Sequence, residues 1–184
     1  MANDADGTDV ANDAAATTLS PILPTDMEEA AAALLRDACA ANLSLVTAES
    51  CTGGLLSSLL TDVEGASHAF ERGFAVYSED AKCELLGIRR DAIEACGAVS
   101  REVAIAMAEG ALARSRGDIA LAVTGYAGAA PDGEENGLVH FACACKDGPT
   151  LHREEHFGDI GRGPVRIACL RVGLDMMRQA LERD

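Results

Sequence analysis

Asp118–Gly125, DIALAVTG, is apolar without a break from its second residue to its sixth. A strand buried on one face alternates apolar and polar residues, whereas a continuous apolar run suits a strand covered on both faces. Helical spacing surrounds this segment. MEEAAAALLRDACAA follows a capping box of Thr25 with Glu28, EDAKCELLG turns helical and stops at Gly87, and Ser100 caps REVAIAMAEGALARS. LSLVTA (Leu43–Ala48) and ERGFAVYS (Glu71–Ser78) read as strands. A helix is expected from near Thr52, through GGLLSSLLTD. LVHFACAC, a Lys-Asp-Gly turn and TLHREEHF form a hairpin, and Gly163 with Pro164 opens the last helix. Strands alternating with helices predict an α/β fold, a three-layer α/β/α sandwich on a largely parallel or mixed central sheet.

Residues 1–24 hold Asp, Ala, Asn and Thr without a hydrophobic pattern and are expected to be a disordered acidic tail. Residues 25–184 then form one domain, long enough to bury a core. The formal charge of −15 argues against a nucleic-acid partner, since phosphates need cations to neutralise them. No apolar run reaches the ~20 residues of a membrane span, and the N-terminus lacks the pattern of a secretory signal. Seven cysteines without a CxxC pair suit reduced thiols and a cytoplasmic location. The alanine-rich apolar helices are of a kind that pairs, so a homo-oligomer is expected.

In open α/β sheets ligands collect where strands end and helices begin. Three candidate segments occupy such ends: Glu49–Gly54, Tyr77–Lys82 and Thr124–Gly128. In the first, ESCTGG, backbone N–H groups at a helix start and two glycines suit a phosphate site or an oxyanion hole. If the segment carries a nucleophile and is not a plain strand-to-helix turn, Ser50 and Cys51 compete for the role, and spacing alone does not choose between them. A serine needs a base, yet none of the four histidines has a triad-like signature and no GxSxG elbow occurs. Of fifteen basic residues only Lys82 and Lys146 are lysines, and only lysine can shed its proton to act as a base. Lys146 sits in a surface turn, which leaves Lys82. Its pKa must fall through burial or a nearby cation, for which Arg72 is a candidate, although a salt bridge or a contact to an anion suits that arginine better. Tyr77 and Lys82 are one residue too far apart for a Tyr-x-x-x-Lys dehydrogenase pair, and no GxGxxG precedes them.

TAESCTGG (Thr47–Gly54), FERGFAVYSEDAK (Phe70–Lys82), GAVSREVAIAMAEGA (Gly97–Ala111), AVTGYAG (Ala122–Gly128) and GLVHFA (Gly137–Ala142) occur in this order. Together they resemble the C-terminal domain of the competence/damage-inducible CinA proteins, which are nicotinamide-nucleotide amidases, over Thr25 to Leu181. The resemblance implies hydrolysis of the carboxamide of nicotinamide mononucleotide to nicotinic acid mononucleotide and ammonia, with no cofactor and no metal. It implies Ser50 as nucleophile, Lys82 as base and Tyr77 and Thr124 as supporting polar groups. Around the substrate it sets Cys51, Thr52, Gly53, Gly54, Arg72, Gly125, Arg162 and Arg166, with the N–H groups of Cys51 to Gly54 as the oxyanion hole. In many relatives a nucleotide-processing domain precedes this one, and the chain is expected to be the stand-alone form.

Two loops depart from the family. After TGYAG the Pro and Gly-rich run is displaced by AAPDGEEN, and FGDIGRGPVR separates Gly-Asp from the first arginine while keeping Arg162 and Arg166 at family spacing. These changes keep two alternatives open: a nucleotide-binding or regulatory module without this catalysis, or an amidase for another small amide.

Overall fold

The computed structural model describes residues 23–183. The expected tail lies, but for its last two residues, outside them. Along the chain run α1 (Thr25–Ala41), β1 (Leu45–Glu49), α2 (Leu55–Thr61), β2 (Phe70–Ala75), α3 (Glu79–Leu86) and α4 (Arg90–Cys96). α5 (Arg101–Ala113), β3 (Ile119–Gly125), β4 (Leu138–Cys145), β5 (Leu151–His156) and α6 (Arg162–Leu181) follow. The five strands form one mixed sheet in the order β2-β1-β3-β4-β5. β1 pairs in parallel with β2 and β3, while β3, β4 and β5 are antiparallel neighbours. The sandwich read from the alternating pattern is therefore present, and its sheet is mixed because the last two strands form the hairpin.

Successive side chains alternate between the two faces of the sheet, and the faces are unequal. Toward α1, α2 and α6 it presents Leu45, Ile119, Leu121, Val123, Val139, Phe141 and Cys143. Toward α3, α4 and α5 it presents mostly alanine: Ala48, Ala120, Ala122, Ala142 and Ala144 beside Val46. Small residues let α5 settle close on this face, and α5 answers with its own Ala104, Ala108 and Ala111. α3 in turn lies close on α5, where a Cβ at Gly110 would fall 3.1 Å from Leu86 Cβ. No helix among the described residues is long and apolar enough to cross a membrane.

Three local expectations are corrected. The capping box at Thr25 does not form, because Pro24, extended at φ −60° and ψ 139°, occupies the cap position and Thr25 is already helical. The helix expected from Thr52 begins at Leu55, since Gly53 and Gly54 take φ of 63° and 93° and interrupt any earlier turn. α4 was not expected at all. It buries one large side chain, Ile93, too little to print a periodic signal.

Candidate active site

The parallel strands β1, β2 and β3 end together, with Glu49 opposite both Ala75 and Val123. This common edge collects the three segments that the sequence marks. Ser50 directly follows β1, held by its N–H donating to Val123 O at 3.0 Å. After β2 the chain turns into α3, whose cap is Ser78, its Oγ accepting from Ala81 N–H. Lys82, one turn in, points back over the strand ends. Its Nζ donates to Val76 O at 2.9 Å and to Ser50 Oγ at 3.0 Å.

Lys82 is 2% exposed and Ser50 7%. Burial lowers the Lys82 pKa, opposed by the nearby acidic groups of Cys51, Glu79 and Cys83. No nearby cation contributes. Arg72, the expected cation and substrate contact, lies elsewhere: its guanidinium pairs with Glu71 at 2.6 Å and donates to Arg114 O. The second lysine differs in kind. Lys146 is exposed and donates to Asp118 Oδ1 at 2.8 Å.

Over this pair opens a cleft of about 260 Å³. Its walls include Ser50, Cys51, Tyr77, Lys82, Thr124, Gly125 and Arg162, together with Ala98, Val99 and the loop Tyr126–Ala129. Thr124 Oγ donates to Ala98 O at 2.8 Å, which ties the end of β3 to the loop before α5. Tyr77 is 68% exposed at the mouth and accepts from Arg162 Nη2 at 3.4 Å. Arg162 and Lys82 are the cations of the lining among the described residues. None of the four histidines lines it.

Ser50 and Cys51, indistinguishable by spacing, have different surroundings. Cys51 belongs to the core cluster under α6, which also holds Cys169. The neighbouring Cys51 side chain and burial raise the Cys169 pKa. Ser50 Oγ instead meets the lysine amine.

The backbone N–H groups of the loop are mostly committed. Gly53 donates to Ser50 O at 3.1 Å, Gly54 to Glu49 Oε2 at 3.1 Å and Leu55 to Thr52 O at 3.3 Å. Of the expected set Cys51 to Gly54, only Cys51 and Thr52 donate to no other residue among those described. Thr52, Gly53 and Gly54 are absent from the cleft walls, as is Arg166, whose Nη2 donates to Thr52 O. Glu49, which sequence reasoning left without a role, is buried and accepts from Gly54 N, Leu56 N, Ser57 N and Ser57 Oγ. Its donors stand five to eight residues downstream, beyond the spacing at which caps are usually sought.

A buried lysine–serine contact at the edge of a mixed five-stranded sheet can be compared with known proteins. The family model described as the CinA C-terminal domain matches residues 26–181. The nicotinamide-nucleotide amidohydrolase PncC of Escherichia coli is 43% identical over 141 residues, covering 74% of this chain and 83% of that protein. A relative in Caldicellulosiruptor bescii is 42% identical over 141 residues, 76% of this chain and 34% of that protein. The chain thus spans about a third of the length of that relative and of another in Acetivibrio thermocellus. Among solved structures, the competence/damage inducible protein CihA of Agrobacterium tumefaciens is 44% identical, with a TM-score of 0.84 over 88% of this chain and 98% of that one. With nearly every described residue inside the family match and the same fold in a solved relative, the chain belongs to the CinA C-terminal domain family.

Proposed function

We propose that this protein hydrolyses the carboxamide of nicotinamide mononucleotide to nicotinic acid mononucleotide and ammonia, using Ser50 as nucleophile and Lys82 as base. The observation carrying this reading is the 3.0 Å contact between Lys82 Nζ and Ser50 Oγ, with the amine buried and its pKa lowered. The E. coli relative named for nicotinamide-nucleotide hydrolysis supports the choice of substrate.

The chemistry follows from the surroundings. With Nζ neutral, one N–H stays on Val76 O while the lone pair takes the Ser50 proton. The alkoxide attacks the amide carbon, and the Cys51 N–H group, the one of the expected set that lines the cleft, receives the oxyanion. As the C–N bond breaks, Lys82 hands its proton to nitrogen, which leaves as ammonia. Water then attacks the acyl-enzyme and gives a proton to the same amine. The acyl–Oγ bond breaks and Lys82 returns the proton to Ser50. No metal is asked for at any step. Thr124 shapes the wall beside the reacting carbon, Tyr77 and Arg162 stand at the mouth, and Arg162 is assigned to the substrate phosphate. Arg166 is assigned to holding the nucleophile loop through Thr52 O.

The test is to incubate the purified chain with nicotinamide mononucleotide in EDTA and measure ammonia and nicotinic acid mononucleotide. Turnover that falls more than about 10³-fold in Ser50→Ala is expected. Unchanged turnover in Ser50→Ala and Lys82→Ala would sink the mechanism. Tight nucleotide binding without product would favour the regulatory module, and faster release of ammonia from another small amide would replace the substrate.

A further inference from the structure

Glu49 lies beside the nucleophile and the steps above leave it unused. Its side chain is 1% exposed, and each of its oxygens accepts two hydrogen bonds. Oε2 accepts from Gly54 N at 3.1 Å and Leu56 N at 3.0 Å. Oε1 accepts from Ser57 N at 2.8 Å and Ser57 Oγ at 2.6 Å. Because the Ser57 hydroxyl proton goes to the carboxylate, the 2.7 Å contact of Ser57 Oγ with Thr47 Oγ1 must be donated by Thr47. A relay thus runs from β1 through α2 and back to the end of β1.

An ordinary helix start is capped by the residue just before it. Here that residue is Gly54, which has no side chain to offer, and the cap comes from the far side of the nucleophile loop. One carboxylate therefore holds both ends of the segment carrying Ser50, Cys51 and Thr52. By binding Gly54 N–H it also removes that group from the possible oxyanion donors.

Resting on the amidase reading, we propose that Glu49 is a positioning residue. It closes the nucleophile loop so that Ser50 and the Cys51 N–H group are held at the cleft where the oxyanion forms. Charge-assisted bonds to backbone N–H are strong and directional, so the carboxylate fixes the loop more firmly than a neutral cap. Glu49→Gln replaces one acceptor with an NH₂ group that must face N–H or O–H donors, which loosens the loop and leaves Ser50 and Lys82 untouched.

Two measurements separate this from a purely structural cap. In turnover, Glu49→Gln is expected to lose about 10²-fold in kcat with KM within about threefold, the size of effect seen on losing an oxyanion donor. The acid limb of its pH profile stays where the parent's lies, since Lys82 keeps its surroundings. Independently of substrate, the rate at which a fluorophosphonate labels Ser50 falls by a similar factor. A folded Glu49→Gln that turns over and labels at the parent's rates overturns the proposal. A parent that labels but does not hydrolyse nicotinamide mononucleotide defeats the substrate assignment alone, and the labelling ratio still decides the role of Glu49. A parent that neither labels nor hydrolyses removes the nucleophile and this proposal with it. Should Glu49→Gln fail to fold, Ser57→Ala deletes a single donor to the carboxylate. A fall of about fivefold in kcat and in labelling is then expected, and unchanged values overturn the role.

Discussion

Gly110→Ala tests whether the packing of α3 on α5 sets the distance between base and nucleophile. Gly110 lies inside α5, and a Cβ there would fall 3.1 Å from Leu86 Cβ and 3.2 Å from Leu86 C, with the Leu86 carbonyl oxygen nearer still. Restoring an ordinary contact of ~3.5 Å requires the helices to part by about 1 Å. Leu86 is one turn beyond Lys82 on the eight-residue α3, so the lysine moves with it. A shift of that size, added to an Nζ–Oγ distance of 3.0 Å, takes the pair out of hydrogen-bonding range. Two effects on stability oppose each other. Alanine gains about 1 kcal/mol over glycine within a helix, while overpacking costs about 1–3 kcal/mol. The net is a loss of ~0–2 kcal/mol, a fall in Tm of less than about 8 °C for a chain of this size.

Activity follows geometry instead, and a 1 Å misplacement is worth about 10²-fold in rate. The assay is kcat/KM for ammonia release beside thermal unfolding of the same samples. Gly163→Ala serves as stability control, being a helical glycine with nothing within 4 Å of the added methyl. If Gly110→Ala keeps kcat/KM within threefold of the parent, or loses it only in step with the unfolded fraction, the link from packing to chemistry is refuted.

Four further outcomes are expected. Because burial lowers the Lys82 pKa below its ordinary 10.5, the unfolded chain holds a proton that the fold lacks between the two values. Stability therefore rises with pH across that window and levels off above ~10.5, as urea midpoints will show, while Lys82→Met lacks the rise. In the same window kcat/KM climbs to its plateau below the pH at which a solvated lysine would titrate. Arg162→Ala should raise KM for the mononucleotide more than about tenfold and bring the kcat/KM values of nucleotide and riboside within threefold of each other, since the riboside has no phosphate for the guanidinium to hold. Cys51→Ser should lose less than about tenfold in kcat against more than about 10³-fold for Ser50→Ala; equal losses would move the nucleophile to the thiol.

The sequence made the fold legible where burial imposes a pattern. β3 is apolar on both faces because helices cover both, and the Gly87 and Ser100 boundaries followed from an αL stop and a side-chain cap. Lys82 stood out because one other lysine exists and sits in a turn. Arg72 makes the salt bridge expected of it, with Glu71, and not the contact to the lysine that is its other reading. Ala98, Val99 and Ala127 had no chemical signal, since cleft walls need shape more than functional groups. Glu49 was hidden by direction: capping is read from the residue before a helix, whereas this carboxylate reaches forward across the nucleophile.

The state of the base traces back to the alanines. Excluding water makes an amine lose its proton more readily, and Lys82 sits on α3, which packs on α5 as α5 packs on the sheet. That stacking requires small residues at Ala48, Ala120 and Ala122 beneath and Gly110 between the helices. The opposite face of the same strands carries Leu45, Leu121 and Phe141, whose bulk holds its helices further from the sheet. Side-chain volume on the two faces thus separates the labour: the large face supplies most of the apolar burial, and the small face lies under the lysine whose pKa burial lowers. With Lys82 as the neutral base of the proposed mechanism, Arg162 alone among the lining residues described is left to meet an anion.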